Sequence, residues 1–134
     1  MTRPQFLDSA LPLAFAHRGG ALHPDIEGLE NTKAAFRHAV ELGYTYLETD
    51  VHVTSDGVLL AFHDEVLDRV TDLRGAISSM THGEVSFALI AGAEPIPTLA
   101  ELIEEFPSVR FNIDVKSEGA VEALASFIEE HAVW

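Results

Sequence analysis

The sequence predicts an α/β fold of parallel strands joined by crossover helices, with one β-hairpin excursion. Two alternating segments carry that prediction, together with what lies between them. Residues 44–53 and 109–116 set apolar and polar side chains on opposite faces at period two, the mark of a half-buried strand. Ahead of the first comes an apolar run at 11–16, then a helical stripe of Ala35, Phe36, Ala39 and Val40. Strand, helix and strand in that order form a right-handed crossover between parallel strands.

Residues 11–16, Leu-Pro-Leu-Ala-Phe-Ala, are nearly continuous in apolar character, as expected of a strand buried on both faces. The run stops at His17-Arg18-Gly19-Gly20, and strand ends are where α/β folds collect their chemistry. Residues 21–29 contain Pro24, Asp25 and Gly28 without periodicity and form a loop. Asn31 is the expected N-cap of the first helix and Gly43 its terminator. In the following strand Tyr46, Glu48, Asp50 and His52 share one face, and Leu47, Thr49, Val51 and Val53 the other. Glu48 and Asp50 are therefore roughly 7 Å apart at Cα. Asp56-Gly57 is a two-residue hairpin signal, and one-to-one pairing outward from it sets His63 opposite Asp50.

Residues 65–80 are mixed and turn-rich, with Arg69, Thr71 and Gly75 standing out. Thr81 with Glu84, and Thr98 with Glu101, match capping boxes. The first precedes Val85, Ala88 and Leu89; the second opens a helix with Leu99, Leu102, Ile103 and Phe106, ended by Pro107. Pro95 and Pro97 mark a loop. The strand at 109–116 turns Phe111, Ile113 and Val115 one way and Arg110, Asn112, Asp114 and Lys116 the other. Val121, Leu124, Ala125 and Ile128 mark a final amphipathic helix.

With 134 residues, 47% of them hydrophobic, the chain can bury one core but not two comfortable ones, so residues 1–134 are read as a single domain. The formal net charge of −14 argues against nucleic acid or an anionic membrane surface as a partner. The absence of cysteine excludes disulfides and thiolate metal sites. Met-Thr-Arg-Pro-Gln-Phe at the N-terminus has no secretory apolar core, and no run reaches the roughly 20 apolar residues of a membrane span. The expected location is the cytoplasm.

With strands 13–17, 44–51 and 109–116 as parallel neighbours, their carboxyl ends gather His17, Arg18, Glu48, Asp50, Asp114 and Lys116, and the hairpin adds His63. Three carboxylates without a thiolate favour a hard divalent cation, Mg²⁺ or Ca²⁺, and the imidazoles leave Mn²⁺ or Zn²⁺ open. Imidazole is the side chain that ordinarily exchanges its proton near neutral pH, so His17 and His63 suit general acid/base work. Arg18 and Lys116 suit an anion, phosphate above all. Such a set fits phosphoryl transfer. Structural salt bridges among Glu48, Asp114, Lys116 and Arg18 are the plainer reading. His23, His38, His52, His82 and His131 are read as structural only.

The motifs His17-Arg18-Gly19, Glu30-Asn31-Thr32, Glu48-Thr49-Asp50-Val51, Thr54-x-Asp56-Gly57, His63-Asp64 and Asn112-Ile113-Asp114-Val115-Lys116 closely resemble, in order and spacing, the glycerophosphodiester phosphodiesterase family over about residues 13–117. The resemblance implies the N-terminal part of a TIM-type (β/α)₈ barrel, one divalent cation, and hydrolysis of a small glycerophosphodiester to glycerol 3-phosphate and an alcohol. It implies His17 and His63 as the acid/base pair, Glu48, Asp50 and Asp114 as metal ligands, and Arg18 and Lys116 at the phosphate. In the family mechanism a substrate hydroxyl attacks phosphorus and water opens the resulting cyclic phosphate.

Position 114 is Asp where the family commonly has Glu, and the loop at 19–29 is longer than in compact members. A full barrel needs about 250 residues, whereas this chain supplies three barrel strands and a hairpin return strand, so an incomplete barrel is expected. Its open edge beyond 109–116 could support homo-oligomers. The alternative function is a non-catalytic half-barrel acting as an assembly or interaction module.

Overall fold

A computed structural model describes residues 12–131. Leu11 of the first expected strand, and the N-terminal segment judged to lack a secretory core, lie outside the described residues. The described elements are β1 (Phe15–Ala16), α1 (Lys33–Glu41), β2 (Tyr46–Val53), β3 (Leu59–Ala61), α2 (His82–Val85), β4 (Leu89–Ile90), β5 (Glu94–Pro95), α3 (Leu99–Glu105), β6 (Arg110–Val115) and α4 (Glu118–His131).

β2 is the axis of the main sheet. β1 pairs with it in parallel, Phe15 opposite Tyr46 and Ala16 opposite Leu47. Along its other edge β6 runs parallel for six residues, Tyr46 opposite Arg110 through Val51 opposite Val115. β3 returns antiparallel beside the end of β2. The α/β prediction therefore agrees with the structure: parallel strands, crossover helices, the expected β2–β3 hairpin and a barrel that the described strands do not close.

Three apolar clusters hold these elements. Phe36, Ala39, Leu47, Leu102 and Phe106 join α1 and α3 to the sheet. Val51, Leu59, Leu99 and Ala120 join α3 and α4 to the end of β2. Leu60, Phe62, Leu67, Ile77, Val85 and Ile90 form a separate core within the excursion between β3 and α3. That excursion also contains the short β4–β5 hairpin, where only a proline-marked loop was expected, with Ala91 and Gly92 at φ 52° and 69° in its turn.

Several local details differ from expectation. Thr32, not Asn31, caps α1, its hydroxyl accepting from the Ala35 N–H at 3.2 Å. Val40 lies outside the buried stripe, because only Ala35, Phe36 and Ala39 face the sheet. The β2–β3 loop has three residues, Ser55 to Gly57. Thr54 N–H donates to the Val58 carbonyl, Gly57 N–H closes a tight turn onto the Thr54 carbonyl, and Gly57 takes φ 84°. A three-residue turn of this kind shifts the register by one. Asp50 consequently faces Phe62, whose N–H donates to the Asp50 carbonyl at 2.9 Å, and His63 falls one residue further on. α4 is rotated from its expected face: Ala120, Ala123, Leu124 and Phe127 pack inward while Val121 is exposed. The Thr98/Glu101 capping box forms in full. At Thr81 only the Glu84 N–H is capped, the Glu84 carboxylate accepting from the Thr81 hydroxyl instead of from backbone.

Candidate active site at the carboxyl ends of the strands

The His17-Arg18-Gly19-Gly20 turn leaves β1 through an unusual backbone. Arg18, Gly19 and Gly20 are all left-handed, at φ 49°, 79° and 86°. Such a conformation costs a non-glycine residue about 1 kcal/mol or more and persists only when its surroundings hold it. The Arg18 N–H donates to Glu48 Oε2 at 2.9 Å, and the Arg18 carbonyl accepts from the Asn31 N–H at 2.9 Å. Gly19 has a second reason to be glycine, since a Cβ there would meet the Ala35 Cβ at 3.0 Å and the Phe36 ring at 3.2 Å.

β2 contributes Glu48 and Asp50. Asp50, 1% exposed, is held by three groups: Asn31 Nδ2 donates to Oδ2 at 3.1 Å, Arg18 Nε lies 3.6 Å from Oδ2, and Lys116 Nζ lies 3.5 Å from Oδ1. The register sets Asp114 of β6 opposite Asp50, and Lys116 Nζ donates to Asp114 Oδ2 at 2.6 Å. That hydrogen bond and the charge of Asp50 raise the Lys116 ammonium above its usual pKa, so it stays cationic at neutral pH. His17 is mostly exposed, its Nε2 3.9 Å from Glu48 Oε2.

His63 enters from the other side. Its Nδ1 donates to Asp64 Oδ1 at 2.7 Å, and Arg69 Nε donates to Asp64 Oδ2 at 2.8 Å. The Arg69 guanidinium, ahead of the His63 contact, pulls Asp64 down to a pKa of about 2, and Asp64 and Glu30 together push Arg69 upward. Arg69 Nη2 also donates to Glu30 Oε1 at 2.5 Å, and Glu30 Oε2 accepts from Arg18 Nη1 at 3.2 Å. Alternating charges thus run from Asp64, which holds His63, through Arg69, Glu30, Arg18 and Asp50 to Lys116 and Asp114.

Four residues of this network carry no site role on residue chemistry alone: Glu30 and Asp64 stand only within motifs, Asn31 as a helix cap and within a motif, and Arg69 as a residue that stands out in a turn-rich stretch. Asn31 was assigned to a helix cap, yet at φ 57° it faces inward, its Oδ1 accepting from Thr49 and its Nδ2 donating to Asp50. A helix-capping Asn and a site Asn look identical in sequence. Arg69 carried one signal: the chain has only 8 Lys and Arg, so each cation among 22 carboxylates invites a search for its partners.

One oxygen each from Glu48, Asp50 and Asp114 comes within 4.8 Å of the others, so the three could hold a divalent cation. The neighbouring cation, Arg18, is suited to an anion instead. Arg18 Nε is buried without a hydrogen-bond partner among the described residues, an unsatisfied donor of the sort that a native site keeps for a ligand.

The model of the Glycerophosphoryl diester phosphodiesterase family matches residues 17–130. The Mycobacterium tuberculosis protein named "Probable glycerophosphodiester phosphodiesterase 2" is 36% identical over 125 residues, covering 93% of this chain and 46% of that protein. Among solved structures, an Oleispira antarctica phosphodiesterase in complex with the product sn-glycerol-3-phosphate is 33% identical with a TM-score of 0.77, over 89% of this chain and 51% of its own. An Agrobacterium tumefaciens glycerophosphodiester phosphodiesterase reaches a TM-score of 0.80 at 26% identity, over 91% of this chain and 53% of its own. The chain spans about half the length of the relatives it matches. Matched over most of its length by the family model, and carrying the family's motifs on neighbouring strands of a TIM-type barrel, the chain belongs to the glycerophosphoryl diester phosphodiesterase family.

Proposed function

We propose that this chain carries the catalytic residues for hydrolysis of a glycerophosphodiester to glycerol 3-phosphate and an alcohol. The observation that carries the reading is the meeting of Glu48, Asp50 and Asp114 within 4.8 Å beside Arg18 and Lys116, at the carboxyl ends of adjacent parallel strands. A small dianionic or diester phosphate fits such a mixed cationic and metal-ligating pocket. The product complex of the Oleispira antarctica phosphodiesterase supports the same substrate class.

A divalent cation held by Glu48, Asp50 and Asp114 would supply positive charge to the phosphate oxygens. Mg²⁺ or Ca²⁺ suits three oxygen donors, and Mn²⁺ follows. Arg18 and Lys116 bind the phosphate and offset the charge that grows on it at phosphorus. His63, its Nδ1 proton held by Asp64 at 2.7 Å, keeps Nε2 to accept or give a proton. His17, near Glu48, is the second proton carrier. The hydroxyl beside the phosphoester attacks phosphorus as one imidazole removes its proton. The other imidazole protonates the departing alcohol oxygen, and water then opens the cyclic phosphate to glycerol 3-phosphate.

The test is release of glycerol 3-phosphate from glycerophosphocholine by the purified chain, with Mg²⁺, Ca²⁺ or Mn²⁺ and with chelator. Metal-dependent turnover that disappears in His63→Ala is the expected result. A chain that is folded by circular dichroism and silent with every metal would overturn the reading in favour of an assembly module, which size-exclusion chromatography would then report as stable oligomers.

A further inference from the structure

A second cluster lies apart from these residues. His23 and Asp25 sit in the loop after the strained turn, and His38 lies on α1. The two imidazole rings stand 4.4 Å apart between centroids, tilted by 58°. Both face one carboxylate: His38 Nε2 is 3.4 Å from Asp25 Oδ2, and His23 Nδ1 is 3.8 Å from the same oxygen. One donor atom from each of the three residues lies within 4.8 Å of the others.

We propose that His23, Asp25 and His38 form a second divalent-cation site, selective for a borderline transition-metal ion such as Zn²⁺. Ligand atoms about 2.0–2.1 Å from a tetrahedral ion stand roughly 3.3–3.5 Å from one another. The His38–Asp25 pair already has that spacing at 3.4 Å, and His23 stands 3.8 Å from the same oxygen. Two imidazoles and one carboxylate favour Zn²⁺, Co²⁺ or Ni²⁺ over Mg²⁺ and Ca²⁺. The all-oxygen set of Glu48, Asp50 and Asp114 has the opposite preference. His23 Nδ1 accepts the Asp25 N–H at 3.1 Å, so that lone pair is turned to the metal at the cost of one exposed backbone hydrogen bond, which water replaces. Asp25 is mostly exposed, which leaves the remaining coordination position to water.

Such an ion would tie the loop to α1. The same loop ends in Glu30 and Asn31, which hold Arg18 and Asp50, so the second ion would steady those contacts from a distance.

The experiment is titration of the purified chain with Co²⁺ in excess Mg²⁺, read by the visible absorption of the bound ion, with Zn²⁺ added afterwards to displace it. One equivalent of Co²⁺ is expected to bind in the wild type and in Glu48→Gln, and none in His38→Ala. Asp25→Asn, an isosteric change at an exposed position, is expected to weaken binding as well while leaving the circular dichroism unchanged. Circular dichroism of His38→Ala checks its fold. Binding that survives both His38→Ala and Asp25→Asn, or that vanishes in Glu48→Gln alone, would overturn the proposal by assigning the ion to the carboxylate site.

Discussion

β2 and β6 have the same alternating pattern and run in register, yet they end in different surroundings. Along β2 every residue from Tyr46 to Val53 is buried or nearly so, while β6 alternates between exposed and half-buried. The difference comes from neighbours. β2 has β1 and β3 along one edge and β6 along the other, whereas β6 pairs with β2 alone among the described residues. Asp50 and Asp114, opposite one another in the register, are therefore chemically alike and energetically unlike. Asp50 is buried and fixed by Asn31, Arg18 and Lys116; Asp114 is exposed and bonded to Lys116. Pattern tells which side chains share a face, and the number of flanking strands tells how much each one matters to stability.

That contrast breaks most directly by removing each carboxylate. Asp50→Ala strands a buried amide and two cations, and is expected to cost about 3–5 kcal/mol in urea unfolding. Asp114→Ala should stay within about 1 kcal/mol, since exposed ion pairs contribute little. Equal losses would show that β6 is as enclosed as β2. Both variants are expected to lose metal-dependent turnover, so stability and activity separate only at Asp114.

Asn31→Ala sharpens the same contrast. It leaves the buried Thr49 hydroxyl and one side of Asp50 without a partner, and is expected to lower the urea midpoint by the equivalent of about 1–3 kcal/mol. Were Asn31 only a helix cap, Thr32 would compensate and the midpoint would hold.

A smaller effect belongs to the ion-pair chain beyond β2. Asp64 has its carboxyl lowered to about 2 by Arg69 and then His63. A depressed carboxylate stabilises the fold fully above its ordinary pKa near 3.8, and that contribution disappears as pH falls toward about 2. Acid unfolding followed by fluorescence should find Asp64→Asn less stable than wild type above about pH 4, with the two converging near pH 2. Parallel curves throughout would remove Asp64 from the stability argument.

The smallest expected effect is at α4. Val121 is 56% exposed, so Val121→Ala should change stability by less than about 0.5 kcal/mol. Leu124→Ala, which packs against the end of β2, should cost clearly more. The reverse order would restore the face that periodicity alone suggested.

The sequence by itself determined the α/β class, the parallel placement of β1, β2 and β6, and the family, because period-two and period-3.6 patterns and short motifs are local properties of the chain. It also gathered His17, Arg18, Glu48, Asp50, Asp114 and Lys116 by type and strand position, and the structure brings those six to one end of the sheet. The inward turn of Asn31, the Arg69 bridge from Glu30 to Asp64, the one-residue register of the hairpin and the His23–Asp25–His38 cluster came only with tertiary structure. Each depends on a backbone torsion or on a partner distant in sequence. Asn31 at φ 57° points into the site because the Arg18 carbonyl takes its N–H, and Arg69 meets Glu30 across 39 positions of chain. Side-chain type limits what a residue can do, but which partner it reaches depends on the folded path of the backbone.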